Sequence, residues 1–361
     1  MEHGEHMSRA RVWSMGWNAR IWLFGAGLVA GLGGAAIAGQ NAGIPTLHVY
    51  ENLIQIPVLV LDPQGAPLEP IDPRRFAIRI DSGPRFRPSV RLEGDDPISL
   101  SILLDARGPE DDLLPKIDTA IAGLAPLSLQ ARDQVSVYAL DCTLVKTLDD
   151  APAEQESLRR AVDSALRSWT SRRQNKHRSD CNPTLHLPDA LTSVMDGLHR
   201  LPGRRVLLAI TDGNNKGSKY SWNDVKAYAT ATGVAVFGMV YRHSVFGQYR
   251  TTSYEDAFRS VCELSGGMIF PSNGSDVAET LQRFTKTVRE RYIVEFPPPF
   301  NSTAGGHRLQ VTIDELDAFI RPAGITVPMA DPAVLADPTT VPADPSRAPV
   351  AGIQQVLVKS Q

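Results

Sequence analysis

The chain has 361 residues, and 37 Lys and Arg against 40 Asp and Glu give it a formal net charge of -3 at pH 7. This near balance of charge excludes a chain built mainly to coat nucleic acid, and a hydrophobic content of 42% excludes wholesale disorder. Its 3 cysteines are too few for a disulfide-dense scaffold, and an odd number leaves at least one thiol unpaired within the chain.

The N-terminal residues have the pattern of a targeting segment. Arg9, Arg11 and Arg20 form a basic front, and the uncharged run from Ile21 to Ala38 follows it and closes on an Ala-Ile-Ala cleavage pattern. We therefore predict that residues 1–38 are a signal peptide and that the chain is exported, whether periplasmic, on the cell surface or secreted. An uncleaved membrane anchor stays open, because the run is close to the roughly 17–25 residues that a spanning helix needs.

Residues 45–96 are predicted to form a β segment. The apolar run Ile54 to Leu61 has strand character and ends at an Asp-Pro-Gln-Gly turn sequence. Phe76 to Ile80 alternates apolar and polar residues, as a half-buried strand does, and Phe86 to Leu92 is a further strand.

Between residues 97 and 288 predicted strands alternate with predicted helices. The strands are expected at 102–104, 134–140, 205–211, 234–240 and 268–270, and the helices at 111–124, 153–169, 189–201, 222–232, 254–264 and 277–290. Because these strands are nearly all apolar, they favour a mainly parallel sheet that is covered on both faces. The predicted fold class is a doubly wound α/β domain.

The C-terminal part returns to β structure. Strands are predicted at 291–296, 308–313 and 318–327, so that residues 289–328 would pack with the N-terminal β segment in a small β-sandwich. From residue 329 to 361 proline recurs and no hydrophobic period is left, which predicts a disordered Pro/Ala-rich tail.

Two aspartates stand at the ends of predicted strands. Asp105 follows the run SILL and Asp212 follows LLAIT, while Thr184 precedes the helix that leads to the second of these strands. Ligands of an open parallel sheet bind beyond the carboxyl ends of its strands. Two carboxylates and a hydroxyl there would suit a hard cation such as Mg²⁺. The alternative is that the aspartates only cap the helices that follow them.

These segments resemble a known family. The runs ISLSILLD, PTLHLPDAL and RRVLLAITDGNNKGS look like the three loops of a von Willebrand factor type A (VWA) domain, where they form the metal-ion-dependent adhesion site. IPVLVLDPQGAPL with FAIRIDSG resembles the β leader of bacterial, notably acidobacterial, VWA-related exported proteins, and RYIVEFPPP with GGHRLQVTI resembles their C-terminal segment. The resemblance covers about residues 47–327 and implies a VWA-type fold with a role in protein interaction or adhesion.

Transferred residue by residue, the metal site of that family is degenerate here. Its first loop reads Asp-x-Ser-x-Ser, and this chain keeps Asp105 but has Arg107 and Pro109 in place of the serines. Thr184 and Asp212 match the other two loops. We interpret Arg107 as a permanent cation that forks between the two aspartates in place of the metal. Weak binding of Mg²⁺ or Mn²⁺ stays open, and so does a solvent-exposed arginine.

The cysteines fit the same edge of such a domain. Cys142 ends the second strand and Cys181 lies shortly before Thr184, so a disulfide between them is plausible in an oxidising compartment. Two free thiols are the alternative. Cys262 lies among apolar residues of a helix and is predicted to be a buried small hydrophobe.

Enzyme classes fit the sequence poorly. A haloacid-dehalogenase-like phosphatase needs a second acid two residues after its first aspartate, and that position is Arg107. The sequence has neither a G-x-S-x-G elbow nor an H-E-x-x-H helix. The basic run at 172–178 is interpreted as a solvated loop, although an anionic partner stays open, and nothing indicates a nucleic-acid partner.

The predicted function is therefore that of an exported, non-catalytic interaction or adhesion module that binds another protein or a surface polymer. The alternative is a structural or assembly protein that works through its β-sandwich and carries a vestigial α/β top. Membrane contact is expected only through an uncleaved N-terminal anchor.

Overall fold

The computed structural model describes residues 53–68, 70–107, 114–174, 185–201, 204–213, 215, 217–241, 253–272, 274–298, 305–324, 326–329, 340–342 and 356–358. The predicted signal peptide lies outside the described residues, as do the site candidates Pro109, Thr184 and Cys181.

The helices and strands alternate along the middle of the chain and give way to strands alone on either side. The strands are β1 (Ile54–Leu61), β2 (Phe76–Ile80), β3 (Ser89–Leu92), β4 (Ile98–Asp105), β5 (Gln134–Leu140), β6 (Leu144–Pro152), β7 (Arg204–Thr211), β8 (Ala235–Tyr241), β9 (Ile269–Ser272), β10 (Tyr292–Phe296), β11 (Gly305–Ile313), β12 (Phe319–Pro322), β13 (Thr326–Met329), β14 (Thr340–Pro342) and β15 (Val356–Val358). The helices are α1 (Leu114–Ala122), α2 (Leu124–Leu127), α3 (Gln155–Gln174), α4 (Leu187–His199), α5 (Trp222–Thr232), α6 (Ser253–Leu264) and α7 (Val277–Arg289).

The α/β part, from Ile98 to Arg289, is built on a 6-stranded sheet with the strand order β6-β5-β4-β7-β8-β9. All of its strands run parallel except β6, which is an antiparallel edge strand beside β5. The order reverses between β4 and β7, and ligands of such sheets bind beyond the carboxyl ends of the strands at a switch point of this kind. The predicted doubly wound, mainly parallel fold class is confirmed.

Helices cover both faces of this sheet. α1, α3 and α7 pack on one face, and α4, α5 and α6 pack on the other. In β4, Ile102 and Leu104 face the first helix layer while Leu103 faces the second, and all three side chains are buried. A strand that is buried on both faces has no polar face to alternate with, which explains the continuous apolar run in the sequence.

The strands on either side of the α/β part form two small antiparallel sheets, which we call the sandwich. Their orders are β12-β1-β10-β3 and β13-β11-β2. β1 pairs with β10 and β12, and β2 pairs with β11. Each sheet therefore combines strands from before the α/β part with strands from after it. Ile56, Ile78, Val294 and Val311 belong to one buried cluster, so the sheets pack face to face.

Buried ion pairs join the sandwich to the α/β part at the amino ends of the parallel strands. The Arg291 guanidinium forks onto Glu93 with a distance of 2.7 Å to each carboxylate oxygen, and both side chains are buried. Arg204, the first residue of β7, lies 3.1 Å from the carboxylate of Asp96. This junction lies at the opposite edge of the sheet from the carboxyl ends of the strands.

Some elements differ from the sequence-based expectations. No strand is predicted at β6, because its residues are largely exposed and charged, and the pairing with β5 is what holds it extended. α4 begins at Leu187, two residues earlier than expected, because Pro188 suits the first turn and His186 is the N-cap. Within the segment predicted as a disordered tail, β14 and β15 pair antiparallel.

Candidate functional site

Asp105 lies at the centre of the carboxyl edge of the sheet. It is the last residue of β4, and its neighbours across the sheet are β5 and β7. Its side chain is only 3% exposed. A carboxylate with so little contact to water must find its partners inside the protein, because an unpaired buried charge is very costly.

Arg107 supplies that partner. Its Nε donates to Oδ1 of Asp105 at 2.8 Å and its Nη2 donates to Oδ2 at 2.8 Å, a two-pronged ion pair. The backbone N–H of Arg107 also donates to Oδ1 at 3.3 Å. The Arg107 side chain is 17% exposed, so the alternative of a solvent-exposed arginine does not hold. The second half of the predicted fork, from Arg107 to Asp212, stays a prediction.

Thr211 is a further partner of Asp105 that the sequence reasoning missed. Thr211 is the last residue of β7, and its Oγ1 donates to Oδ2 of Asp105 at 2.8 Å. The same hydroxyl accepts from the backbone N–H of Gly213 at 3.0 Å, where a φ of 75° turns the chain back on itself. Asp212 stands between these two residues and is half-buried. The sequence feature that could have indicated this role is a hydroxyl residue at the end of a predicted strand, next to Asp212.

Asp189 connects two of the loops at this edge. It lies in the first turn of α4 and is 4% exposed. Its Oδ2 accepts from the backbone N–H of His186 at 3.2 Å, and its Oδ1 accepts from that of Tyr220 at 3.0 Å. His186 follows the Thr184 segment, and Tyr220 ends the loop that begins at Asp212. One carboxylate therefore holds the ends of both loops.

The cysteines fall at different places. Cys142 follows β5, whose last carbonyl, that of Leu140, accepts from the N–H of Ala106 at 2.8 Å, so Cys142 lies at the same edge as Asp105. Its pairing with Cys181 stays a prediction, because Cys181 is outside the described residues. Cys262 is buried in α6 as expected, and burial raises the pKa of its thiol.

An open depression of about 460 Å³ lies beside the candidate site, between α3 and the turn from β5 to β6. Its lining includes Asp141, Thr143 and Ser164. The hydroxyl of Ser168 donates to Oδ2 of Asp141 at 2.6 Å. The depression next to the Asp105 edge therefore has a largely apolar lining with a few polar groups.

The oxygens of the Asp105 carboxylate are poorly placed to ligate a divalent ion. Mg²⁺ needs oxygen ligands whose lone pairs point at it, whereas the Asp105 oxygens already accept from a guanidinium and a hydroxyl. A permanently charged guanidinium close to both oxygens also repels a second cation. Within the described ranges no group of three or more His, Cys, Asp or Glu side chains is placed to hold a metal ion.

Comparison with known proteins gives structural likeness only. No protein-family model matches the chain, and no curated protein matches it. A solved structure of the conserved hypothetical protein BatB from Bacteroides thetaiotaomicron is similar over 52% of this chain and 99% of its own, with 15% identity and a TM-score of 0.37. An aerotolerance-related membrane protein from Bacteroides fragilis matches 53% of this chain and 98% of its own, with 13% identity and a TM-score of 0.38.

A further likeness is to proximal thread matrix protein 1 from the mussel byssus, solved with a zinc-occupied MIDAS motif. It covers 55% of this chain and 49% of that protein, with 11% identity and a TM-score of 0.39. Likenesses this remote say nothing about what the present chain binds. The mainly parallel sheet with helices on both faces is the fold that the sequence resemblance implied. In the described part of the chain no helix is both long and apolar enough to cross a bilayer.

Proposed function

We propose that this chain is a non-catalytic binding module that holds another protein or a surface polymer without a divalent ion. Its binding face would be the carboxyl edge of the 6-stranded sheet, with the loops around Asp105, Arg107, Thr184 and Asp212. The observation that carries the proposal is the fork of Arg107 on the buried carboxylate of Asp105.

An arginine in this place changes how the face would bind. A guanidinium is charged at every physiological pH and is tethered to the chain, so it neutralises Asp105 permanently. It offers no open coordination position to a partner's carboxylate, as a metal ion does. The partner would instead be bound by the surface of the loops, through hydrogen bonds and apolar contact, and binding would survive a chelator.

The same contacts favour binding over catalysis. A carboxylate acts as a nucleophile or a general base through an oxygen that can reach the substrate. Both oxygens of Asp105 accept hydrogen bonds from neighbouring groups, and the side chain is almost fully buried. Asp105 is therefore suited to hold the loops in place.

The proposed location is the cell envelope or beyond it. The basic front and apolar run at residues 1–38 support export. A module tethered or released there would present the carboxyl edge of its sheet on the side opposite to the sandwich.

A second candidate function, assembly through the sandwich, has its own supporting observation. Both edge strands of the β12-β1-β10-β3 sheet carry a large apolar side chain in contact with water. Phe319 on β12 is 53% exposed and Leu92 on β3 is 45% exposed. Edge strands with exposed apolar groups can pair with another chain.

The two candidates can be separated by capture from an envelope extract of the source cells, with two matched double variants. Lys219→Ala/Tyr220→Ala removes exposed side chains of the loop after β7 and keeps the backbone N–H that Asp189 binds. Leu92→Ala/Phe319→Ala removes two exposed apolar side chains of the sandwich. We expect a ligand that wild type captures in chelator to be lost with the first variant and kept with the second. The reverse pattern would favour assembly through the sandwich.

A further inference from the structure

Two loops of the proposed binding face are held together by a single carboxylate. Oδ2 of Asp189 binds the backbone of His186, at the end of the loop before α4, and Oδ1 binds the backbone of Tyr220, at the end of the loop after β7. The two oxygens thus serve different segments of the chain. Because Asp189 is 4% exposed, water competes little for either bond.

The loop after β7 is braced on the way to that contact. Nδ2 of Asn215 donates to Oγ of Ser218 at 2.9 Å, and the same hydroxyl donates to the carbonyl of Tyr220 at 2.8 Å. Gly217 has a φ of 89°, and a methyl group placed on it would lie 3.5 Å from Nε2 of His186. The loop therefore passes near the side chain of the residue whose backbone Asp189 also binds.

We propose that Asp189 is a positioning residue that fixes His186, at the end of the loop before α4, relative to Tyr220, at the end of the loop after β7. The inference rests on the proposed function, because these loops carry Thr184 and Asp212. Arg107 and Thr211 hold Asp105, and Asp189 holds the ends of the loops before α4 and after β7. The face is thus organised by hydrogen bonds of the chain itself, and it needs no ion to bring its loops together.

The bracing depends on a carboxylate of this length. Asparagine has one carbonyl oxygen, and its amide N–H₂ faces a backbone N–H without forming a bond. Asp189→Asn therefore keeps the shape but loses one of the two contacts. Glutamate at the third position of a helix reaches back to the N-cap N–H in a capping box. Asp189→Glu should keep the bond to His186 and displace the one to Tyr220.

Hydrogen–deuterium exchange of the full chain tests this directly. In Asp189→Asn we expect either the peptides that span residues 212–221 or those at the start of α4 to exchange about 10- to 100-fold faster, depending on which backbone N–H faces the amide group. In Asp189→Glu the peptides that span residues 212–221 should exchange faster, while those at the start of α4 stay protected. Asp196→Asn is the matched control, since its carboxylate on the same helix binds the Arg200 and Tyr228 side chains.

The outcomes separate bracing from general stability. Unchanged exchange at residues 212–221 in both Asp189 variants would overturn the proposal. Faster exchange in β4 and β7 to the same extent as in the loop would also overturn it, because Asp189 would then only stabilise the fold.

The link to binding has its own readout. In the capture assay Asp189→Asn should retain less of the ligand than Asp196→Asn. If the loops exchange faster and capture is unchanged, the bracing is supported and the proposed binding face is wrong.

Discussion

Replacement of Arg107 by alanine is the perturbation that bears most directly on the interpretation of the site. The variant leaves the Asp105 carboxylate, which is 3% exposed, without its guanidinium. Removing one partner of a buried ion pair typically costs about 3–5 kcal/mol. The Thr211 hydroxyl still reaches Oδ2, so we expect a loss at the lower end, about 3 kcal/mol. That is a large share of the roughly 5–15 kcal/mol that holds a typical domain folded.

Urea unfolding at pH 7, followed by circular dichroism, measures this loss. Arg107→Lys should lose about 1–2 kcal/mol, because an ammonium keeps the charge but cannot fork onto both oxygens. Arg159→Ala is the control, since Arg159 also forks onto a carboxylate, that of Glu156, but on the exposed surface of α3. It should change the free energy of unfolding little. If Arg107→Ala were as stable as that control, Arg107 would not be the internal cation of this site.

The other predictions concern the thiols, an exposed ion pair and a helix end. Alkylation of the oxidised native chain should label no cysteine. Unfolding without reduction should expose Cys262 alone to the label, and reduction should then expose Cys142 and Cys181. A label on Cys142 before reduction would contradict the disulfide. Hydrogen bonds from two arginines lower the pKa of Asp314 from its ordinary 3.8. Its stabilising effect is therefore present above that value and lost as pH falls through the lowered pKa, so Asp314→Asn should destabilise at pH 7 and not in strong acid, which urea unfolding at both pH values checks. Gly266 follows α6 with a φ of 90°, and an added Cβ would lie 2.6 Å from the backbone of Ala323, just after β12. Gly266→Ala should destabilise the fold, because the backbone strain costs about 1–3 kcal/mol and the clash with Ala323 adds to it. Calorimetry should show a lower melting temperature, and an unchanged melting temperature would refute the close approach of Gly266 to Ala323.

Much of the fold follows from local pattern. The apolar runs at Ile54–Leu61 and Gln134–Leu140 form strands with the predicted bounds, because burial on both faces needs continuous apolar sequence. The antiparallel pairing of β1 with β10 joins residues far apart in the chain. A pattern of hydrophobicity holds no information about such partners, so the sandwich is a hypothesis at the level of sequence. The edge strand β6 has no such signal, since its exposed charged residues are typical of a loop.

The site was predictable where the two partners lie close together in the chain. Asp105 and its contact with Arg107 follow from an acidic strand terminus and an arginine two residues later. The contact of Thr211 with Asp105 depends on the pairing of β7 with β4, which a local pattern does not show. Asp189 was missed because it acts through backbone N–H groups. Every residue but proline has such a group, so which of them a carboxylate meets depends on the path of the loops.

The central claim is that an arginine takes the place of a divalent ion. Calorimetric titration of the chelator-treated chain with Mg²⁺ and then Mn²⁺ tests it most directly. We predict no heat of binding for the wild type, and measurable binding once Arg107→Ser/Pro109→Ser restores the hydroxyls that such a site needs. Wild-type binding that disappears in Asp212→Ala would contradict the claim and restore a metal-dependent site.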